Sequence, residues 1–298
     1  MKKLPLSIAV SSIALAAAGV QAAETVYENE GLSLSVGADA AWVVEKSNTV
    51  DSDVQLSKDA ADVNFKIASE LNDDVTLFGY FSLDSGVLGD NYVGATYGAT
   101  TLTVGKHATA ADAFGIGKDQ WFGFGNVIAK SSGDDVIKVA YEKDGISVAA
   151  ATEYAATDAE DSLYDLYASV DLEGVSVAGF VQSTSISGAD DTLFGASAAY
   201  SLDALTVGAE YSYSTETEVS ALEVAGSYAA TDKLTVAAGY GMELADANDE
   251  APWGVYANAS YDLTANASTF AEVAQYGGDG YADTQDDLGF AAGLSLSF

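Results

Sequence analysis

The sequence predicts an all-β chain folded as a 16-stranded antiparallel transmembrane β-barrel. Three observations predict it. A motif recurs about every 30 residues. The flanks of each copy alternate apolar and polar with period two. The chain ends inside such an alternation, on Phe298.

The repeat comes first. ATYGATTL, VAYEKDGI, AAYSLDAL, GSYAATDKL and ASYDLTANA each place a tyrosine (97, 141, 200, 228, 261) just before a short polar turn. VDLEGV near Val170 and SELNDDVT near Glu70 are variants without it. From 141 the positions run 141, 170, 200, 228 and 261, with steps of 29, 30, 28 and 33. That period suits a unit of strand, short turn, strand and longer loop.

Strands are expected to begin near 32, 62, 75, 91, 101, 134, 146, 163, 175, 192, 205, 219, 234, 253, 267 and 288. This makes seven short turns on one side and eight longer connections on the other. Lengths of about 9–11 residues suit a tilted strand crossing hydrocarbon. Along the first strand Leu32, Leu34, Val36, Trp42 and Val44 share one face, and Ser33, Ser35, Asp39 and Glu45 share the other. Farther on, Leu234, Val236, Ala238, Tyr240 and Met242 alternate with Thr235, Ala237, Gly239 and Gly241. The tyrosines before the turns suit an aromatic girdle at a membrane interface. Leu294, Leu296 and Phe298 would leave an open apolar edge unless the last strand pairs with the first, near Leu32. Alternation alone also fits a soluble β-sandwich or barrel with an ordinary core.

Composition narrows the class. Residues 1–22 (MKKLPLSIAVSSIALAAAGVQA) resemble a secretory signal peptide cut after Ala22, leaving 23–298 as the barrel; an uncleaved anchor is the rival. Without Lys2 and Lys3 the chain has 11 − 2 = 9 lysines against 45 acids and no arginine, a net charge of 9 − 45 = −36. Nucleic acid is thereby disfavoured as a partner. The chain has no cysteine, so it has no disulfide framework. A 49% hydrophobic content with 17 Tyr and 11 Phe argues against disorder.

One interval breaks the period. Tyr97 and Tyr141 lie 44 residues apart, and the excess falls in KHATAADAFGIGKDQWFGFGNVIAKSSGD, roughly 106–134. Here YVGATYGATTLTVGK followed by DAFGIG is similar to the general diffusion porins of Gram-negative bacteria. Those chains carry a glycine-flanked strand pair ending in G-R or G-K, then a third loop with a D-A-hydrophobic-G stretch. The matching residues are Gly105-Lys106 and Asp112-Ala113-Phe114-Gly115, and VNFKIASELNDD puts Phe65-Lys66 in register. The local likeness covers about 62–145.

The resemblance implies a homotrimer in the outer membrane, surrounded by lipid and lipopolysaccharide. It implies an inward-folded third loop narrowing a pore for passive diffusion of small hydrophilic solutes, with no cofactor and no reaction. It places Lys66 and Lys106 where the family has basic groups. Parity from Leu102 and Val104 points Lys106 toward lipid, unless a bulge at Gly105 turns it. The departures are acidic. Asp62 stands where the family commonly has a wall arginine, and Asp134 falls at another such place. The loop adds Asp112 and Asp119 beside Lys118 and Lys130. A constriction of Asp62, Lys66, Lys106, Asp112, Asp119 and Asp134 is expected to select cations.

Other readings stay open. One is a substrate-specific channel, for sugars for example, whose only clustered aromatic candidates are Trp121, Phe122 and Phe124. The other is an acidic β surface protein with no pore. Acidic clusters at 51–53, 158–161, 190–191, 246–250 and 283–287 read as external loop charge; none has the pattern of a known Ca²⁺ loop, so no metal site is assigned. The single histidine, His107, has no evident serine partner, so enzymatic chemistry is not expected.

Overall fold

A computed structural model describes residues 24–49, 51–124, 127–153, 162–186, 188–245, 250–278 and 287–298. The signal-peptide assignment lies outside these residues, as do the acids at 158–161 and most of those at 246–250 and 283–287.

The strands are β1 (Glu24–Asn29), β2 (Leu32–Lys46), β3 (Gln55–Asn72), β4 (Val75–Asp84), β5 (Val87–Tyr97), β6 (Thr100–Ala108), β7 (Ser132–Lys143), β8 (Ile146–Glu153) and β9 (Ser162–Leu172). They continue as β10 (Val175–Ile186), β11 (Ala189–Leu202), β12 (Leu205–Ser214), β13 (Ser220–Ala229), β14 (Leu234–Leu244), β15 (Trp253–Thr264), β16 (Ala267–Gly277) and β17 (Gly289–Ser297). From β2 to β17 each strand pairs antiparallel with the next. β17 then pairs with β2, from Phe290↔Lys46 to Ser297↔Asp39. Phe298 completes the closure: its N–H and C=O exchange bonds with Ala38, both 2.9 Å. Sixteen strands thus form a closed ring with no open edge around it.

Three details differ from the expectation. β1 is an additional strand. It pairs with β2 over Asn29↔Leu32 to Glu24↔Val36, continuing the line of β17 along the same edge. One of the eight longer connections is a two-residue turn, at 85–86, so β5 starts at Val87 rather than near 91, and β11 starts at Ala189, paired with Ile186, rather than near 192. The sixteen ring strands run from 8 to 18 residues, and β3 begins at Gln55 rather than near 62. Acid-glycine dipeptides make several of the tight turns. Asp144 (φ 53°) and Gly145 (φ 78°) both take the left-handed conformation that a type I′ hairpin requires.

The two faces have opposite chemistry. Trp42, Leu56, Ile67, Val93, Val104 and Val224 are exposed, as are the turn tyrosines 97, 141, 200, 228 and 261. The buried positions on the other face include Glu45, Asp165, Glu210, Glu223 and Glu272, each at most 8% exposed. A soluble sandwich would bury the first set and expose the second. This inversion suits a wall surrounded by hydrocarbon.

Candidate functional site

The ring carries one long connection among the described residues, 109–131 between β6 and β7, with a single 3₁₀ turn at Ala111–Ala113. Apart from that turn it has no ladder of its own, so its backbone N–H groups need other acceptors. Wall side chains supply them. Ala111 N–H donates to Asp165 Oδ2 on β9 (2.8 Å), and Ile116 N–H donates to Glu210 Oε2 on β12 (2.7 Å). Lys118 N–H donates to the Tyr256 hydroxyl on β15 (2.7 Å), which lies 3.3 Å from Glu223 Oε1 on β13.

Glu272 on β16 holds the far end. It accepts the N–H groups of Gln120 (2.6 Å), Trp121 (3.1 Å) and Phe122 (2.6 Å). Asn258 links Glu272 (2.9 Å) to the Lys118 carbonyl (2.7 Å). The Trp121 indole N–H donates to Glu45 Oε2 on β2 (2.5 Å). On the return, Gln182 of β10 accepts from Ala129 and Lys130 and donates to the Lys130 carbonyl, while Lys130 Nζ pairs with Glu153. The connection is therefore a strap bound to an arc from β8 through β16 and on to β2.

Packing follows the same arc. Phe124 lies on Gly241 and Gly254, where an added Cβ would come within 2.2 and 2.8 Å of its ring. Phe122 packs with Val43, Tyr256, Ala274 and Ala291. Phe122 and Phe124 are thus buried (8% and 5% exposed), and Trp121 is tied to Glu45. These aromatics fasten the strap to the wall and do not form an open aromatic slide.

The strap's two expected acids differ in setting. Asp112 is exposed on the 3₁₀ turn. Burial of its surroundings raises its carboxyl above the ordinary range, Lys138 opposes this, and Asp165 adds to it. The Asp119 carboxylate is folded over Gly117 and Gly123 of the strap itself. It is raised by burial, opposed by its own backbone N–H and reinforced by Glu272. The strand end from which the strap departs is also held, because Lys138 Nζ on β7 donates to the carbonyl of Ala108, the last residue of β6 (2.7 Å).

The arc β3–β5 carries no strap hydrogen bond among the described residues, and there the wall acids are in register. Asp39 of β2 is directly opposite Asp62 of β3, and Asp62 is directly opposite Asp84 of β4. The Asp84 carboxylate lies over Gly89, and Asp90 follows at a bulge where residues 89 and 90 face Ser82. Among the described residues no lysine is within ion-pair distance of these four. Lys66 shares the face of Asp62, with its ammonium 5.2 Å above the Phe78 ring. Lys106 Nζ is 3.3 Å from Asp134 Oδ1, an exposed pair at the strand ends. The register shifts between Gly105 and His107, and Gly105 has φ 136°. His107 is buried against Tyr92, ring centroids 4.8 Å apart.

Of the six residues expected from the sequence, Asp62 joins the acidic ladder and Lys66 lies near it. Asp112 and Asp119 belong to the strap, and Lys106 and Asp134 pair with each other. Asp39, Asp84 and Asp90 were missed, as were the strap anchors Glu45, Asp165, Glu210, Glu223 and Glu272. A usable signal exists for the anchors. Four of the five, all but Glu45 at the end of β2, are carboxylates inside a strand on a face of otherwise small or polar residues, as in VGAEYSY, ALEVAGS and FAEVAQY.

The model of the Gram-negative porin family matches residues 9–281. The chain belongs to the Gram-negative porins. It is a channel-forming barrel of the outer membrane. No curated protein matches it by sequence. Among solved structures it is similar to OmpT expressed in the outer membrane of Vibrio cholerae (18% identity, 92% of this chain and 100% of that one, TM-score 0.80). In-vitro folded OmpT of Vibrio cholerae in its trimer form is similar too (17%, 90% and 100%, 0.77). So is an anion-selective porin from Comamonas acidovorans (10%, 90% and 100%, 0.74). At these identities the likeness concerns the fold.

Proposed function

We propose that this porin is a water-filled, cation-selective pore for passive diffusion of small hydrophilic solutes. In this reading the strap 109–131 folds into the barrel and leaves the passage between itself and β3–β5. The observation that carries it is the in-register ladder Asp39–Asp62–Asp84, on the arc to which the strap makes no hydrogen bond among the described residues. Strands about 4.8 Å apart bring the three carboxylates to one level. Directly opposed like charges weaken a sheet locally, and they also build a negative potential that draws cations and repels anions.

Asp62, Lys66, Asp112 and Asp119 then line the constriction, and Lys106 with Asp134 stands at its rim. On β3 the ladder has Lys66 four residues to one side of Asp62 and Lys58 four to the other, the latter donating to the Ser85 hydroxyl (2.7 Å), so three carboxylates face two ammonium groups and the local balance stays negative. The similar porin named as anion-selective has the same fold, so selectivity has to come from side chains. Among the described residues the strap's side-chain partners on the wall, Asp165, Glu210, Tyr256, Glu272, Glu45 and Gln182, belong to its polar face, which supports its placement inside. Within this reading residues 1–22 are the export signal and 23–298 the mature barrel. The solved trimer form of OmpT supports a homotrimer in outer-membrane lipid and lipopolysaccharide. The chain transports and carries out no reaction.

The test is the reversal potential of the purified protein in a planar bilayer across a KCl gradient. A potential favouring K⁺ is expected. One favouring Cl⁻ would overturn the charge argument and leave control to Lys66 and Lys106.

A further inference from the structure

Beneath the strap, on the short-turn side, a small recess opens between strap residues 113–118 and strands β8–β12. Its wall is made of small residues with hydroxyls. Ser147, Ser176 and Ser197 line it, and none makes a side-chain hydrogen bond within the described protein. Ser147 is only 7% exposed, so its unpartnered hydroxyl is buried apart from the recess it lines. A hydroxyl open only to such a recess takes its hydrogen-bond partner from what fills the recess, water or a ligand.

The register spreads these groups over a surface. Ser147 is opposite Ser169, Ser169 opposite Ala178, and Ala178 opposite Ser197. Ser176 is opposite Asp171 on one side and Ala199 on the other. Between the hydroxyls are apolar patches from Ala178, Ala199, Ile116 and the buried Tyr167 ring. The lining has one carboxylate, Asp171, and one ammonium, Lys118, so its formal charge is zero. The acidic ladder belongs to other strands.

We propose that this recess is a weak, saturable subsite for small neutral polyols, compounds that present hydroxyls and C–H faces in alternation. Hydroxyls and Asp171 exchange hydrogen bonds with the solute's hydroxyls, while alanine, isoleucine and tyrosine surfaces take its C–H groups. A bare ion gains little here, because the recess holds no excess charge. The proposal rests on the pore reading above, since the solute reaches the recess through the channel.

The experiment is single-channel current at fixed KCl with glycerol or glucose titrated on one side. An ethylene-glycol oligomer of similar size, at matched viscosity, is the control. Saturable block by the polyol beyond the control is expected. The triple variant Ser147→Ala, Ser176→Ala and Ser197→Ala should raise the half-blocking concentration at least about tenfold, from roughly 1 kcal/mol per lost hydrogen bond. If the triple variant does not assemble, S147A alone should raise it about threefold or more. A polyol effect equal to the control, or an unchanged block in the variants, overturns the subsite. Block by zwitterionic glycine without block by glycerol also overturns it, and assigns the recess to the Asp171–Lys118 pair. Any of these results leaves the reversal potential untouched, so the subsite and the cation-selective pore fail separately.

Discussion

The two arcs of this barrel use carboxylates in opposite ways. On the strap side, Asp165, Glu210 and Glu272 are buried and accept strap N–H groups, and Glu223 meets the Tyr256 hydroxyl. On the open arc, Asp39, Asp62 and Asp84 oppose one another across three strands without a lysine in ion-pair distance. The acids of the first arc replace the hydrogen bonds that an irregular connection lacks. Those of the second accept no strap N–H among the described residues, and in the proposed pore they act on mobile ions. Net charge alone therefore says little about the pore; the location of each carboxylate decides whether it is structural or selective.

The largest effect should come from breaking the strap side. Glu272→Ala strands three strap N–H groups and removes one of the two partners of Asn258. A stability loss on the order of 3–5 kcal/mol is expected, read as a lower temperature of barrel unfolding in detergent. Current noise should rise as the strap loosens. An unchanged unfolding temperature would show that the strap is held elsewhere.

Next comes the open arc. One carboxylate acting on an ion about 6 Å away in water contributes about 0.7 kcal/mol, or roughly threefold in relative permeability. Asp62→Asn with Asp84→Asn should therefore lower the K⁺/Cl⁻ ratio several-fold, measured as reversal potential. Glu210→Gln should leave that ratio nearly unchanged. If Glu210→Gln shifts it as much, the division between the arcs is wrong. The same preference should shrink between 0.1 M and 1 M KCl, as the screening length falls from about 10 Å to about 3 Å.

A smaller effect concerns pH. Burial raises Asp112 and Asp119, so they take up protons at a higher pH than ordinary exposed carboxylates. Their ionisation opposes burial. Acidification through their folded range therefore relieves a penalty on the strap while removing negative charge from the passage. Cation preference should start to fall before ordinary carboxylates titrate, and Asp112→Asn with Asp119→Asn should remove that early phase. Asp287 is the contrast. Its bond to Lys46 lowers it, so that link persists above the ordinary carboxylate range and is lost as pH falls through its lowered value. The smallest effect is expected from Lys106→Gln. It removes an exposed pair with Asp134 worth about 0–1 kcal/mol and should leave unfolding temperature and conductance almost unchanged.

Much of the architecture was legible in the sequence, because strand alternation and turn chemistry are local. Twelve residues around a turn are enough to place a hairpin, and the thirty-residue period then fixes the number of hairpins. The terminal Phe298 signalled a paired edge, since an apolar strand cannot stay open at a chain end. Where local signals were weak, the boundaries moved: Ser85-Gly86 makes a two-residue turn where a longer connection was expected. The site was far less legible. Glu272 meets Phe122 across 150 residues, and Asp39, Asp62 and Asp84 become one ladder only through the register of three strands. A one-residue slip would turn any of those acids to the other face. The sequence by itself determined the barrel, its strand count and its acidity. Only the tertiary structure decided which acids hold the strap and which form the ladder opposite it, because cross-strand register and long-range closure set those contacts.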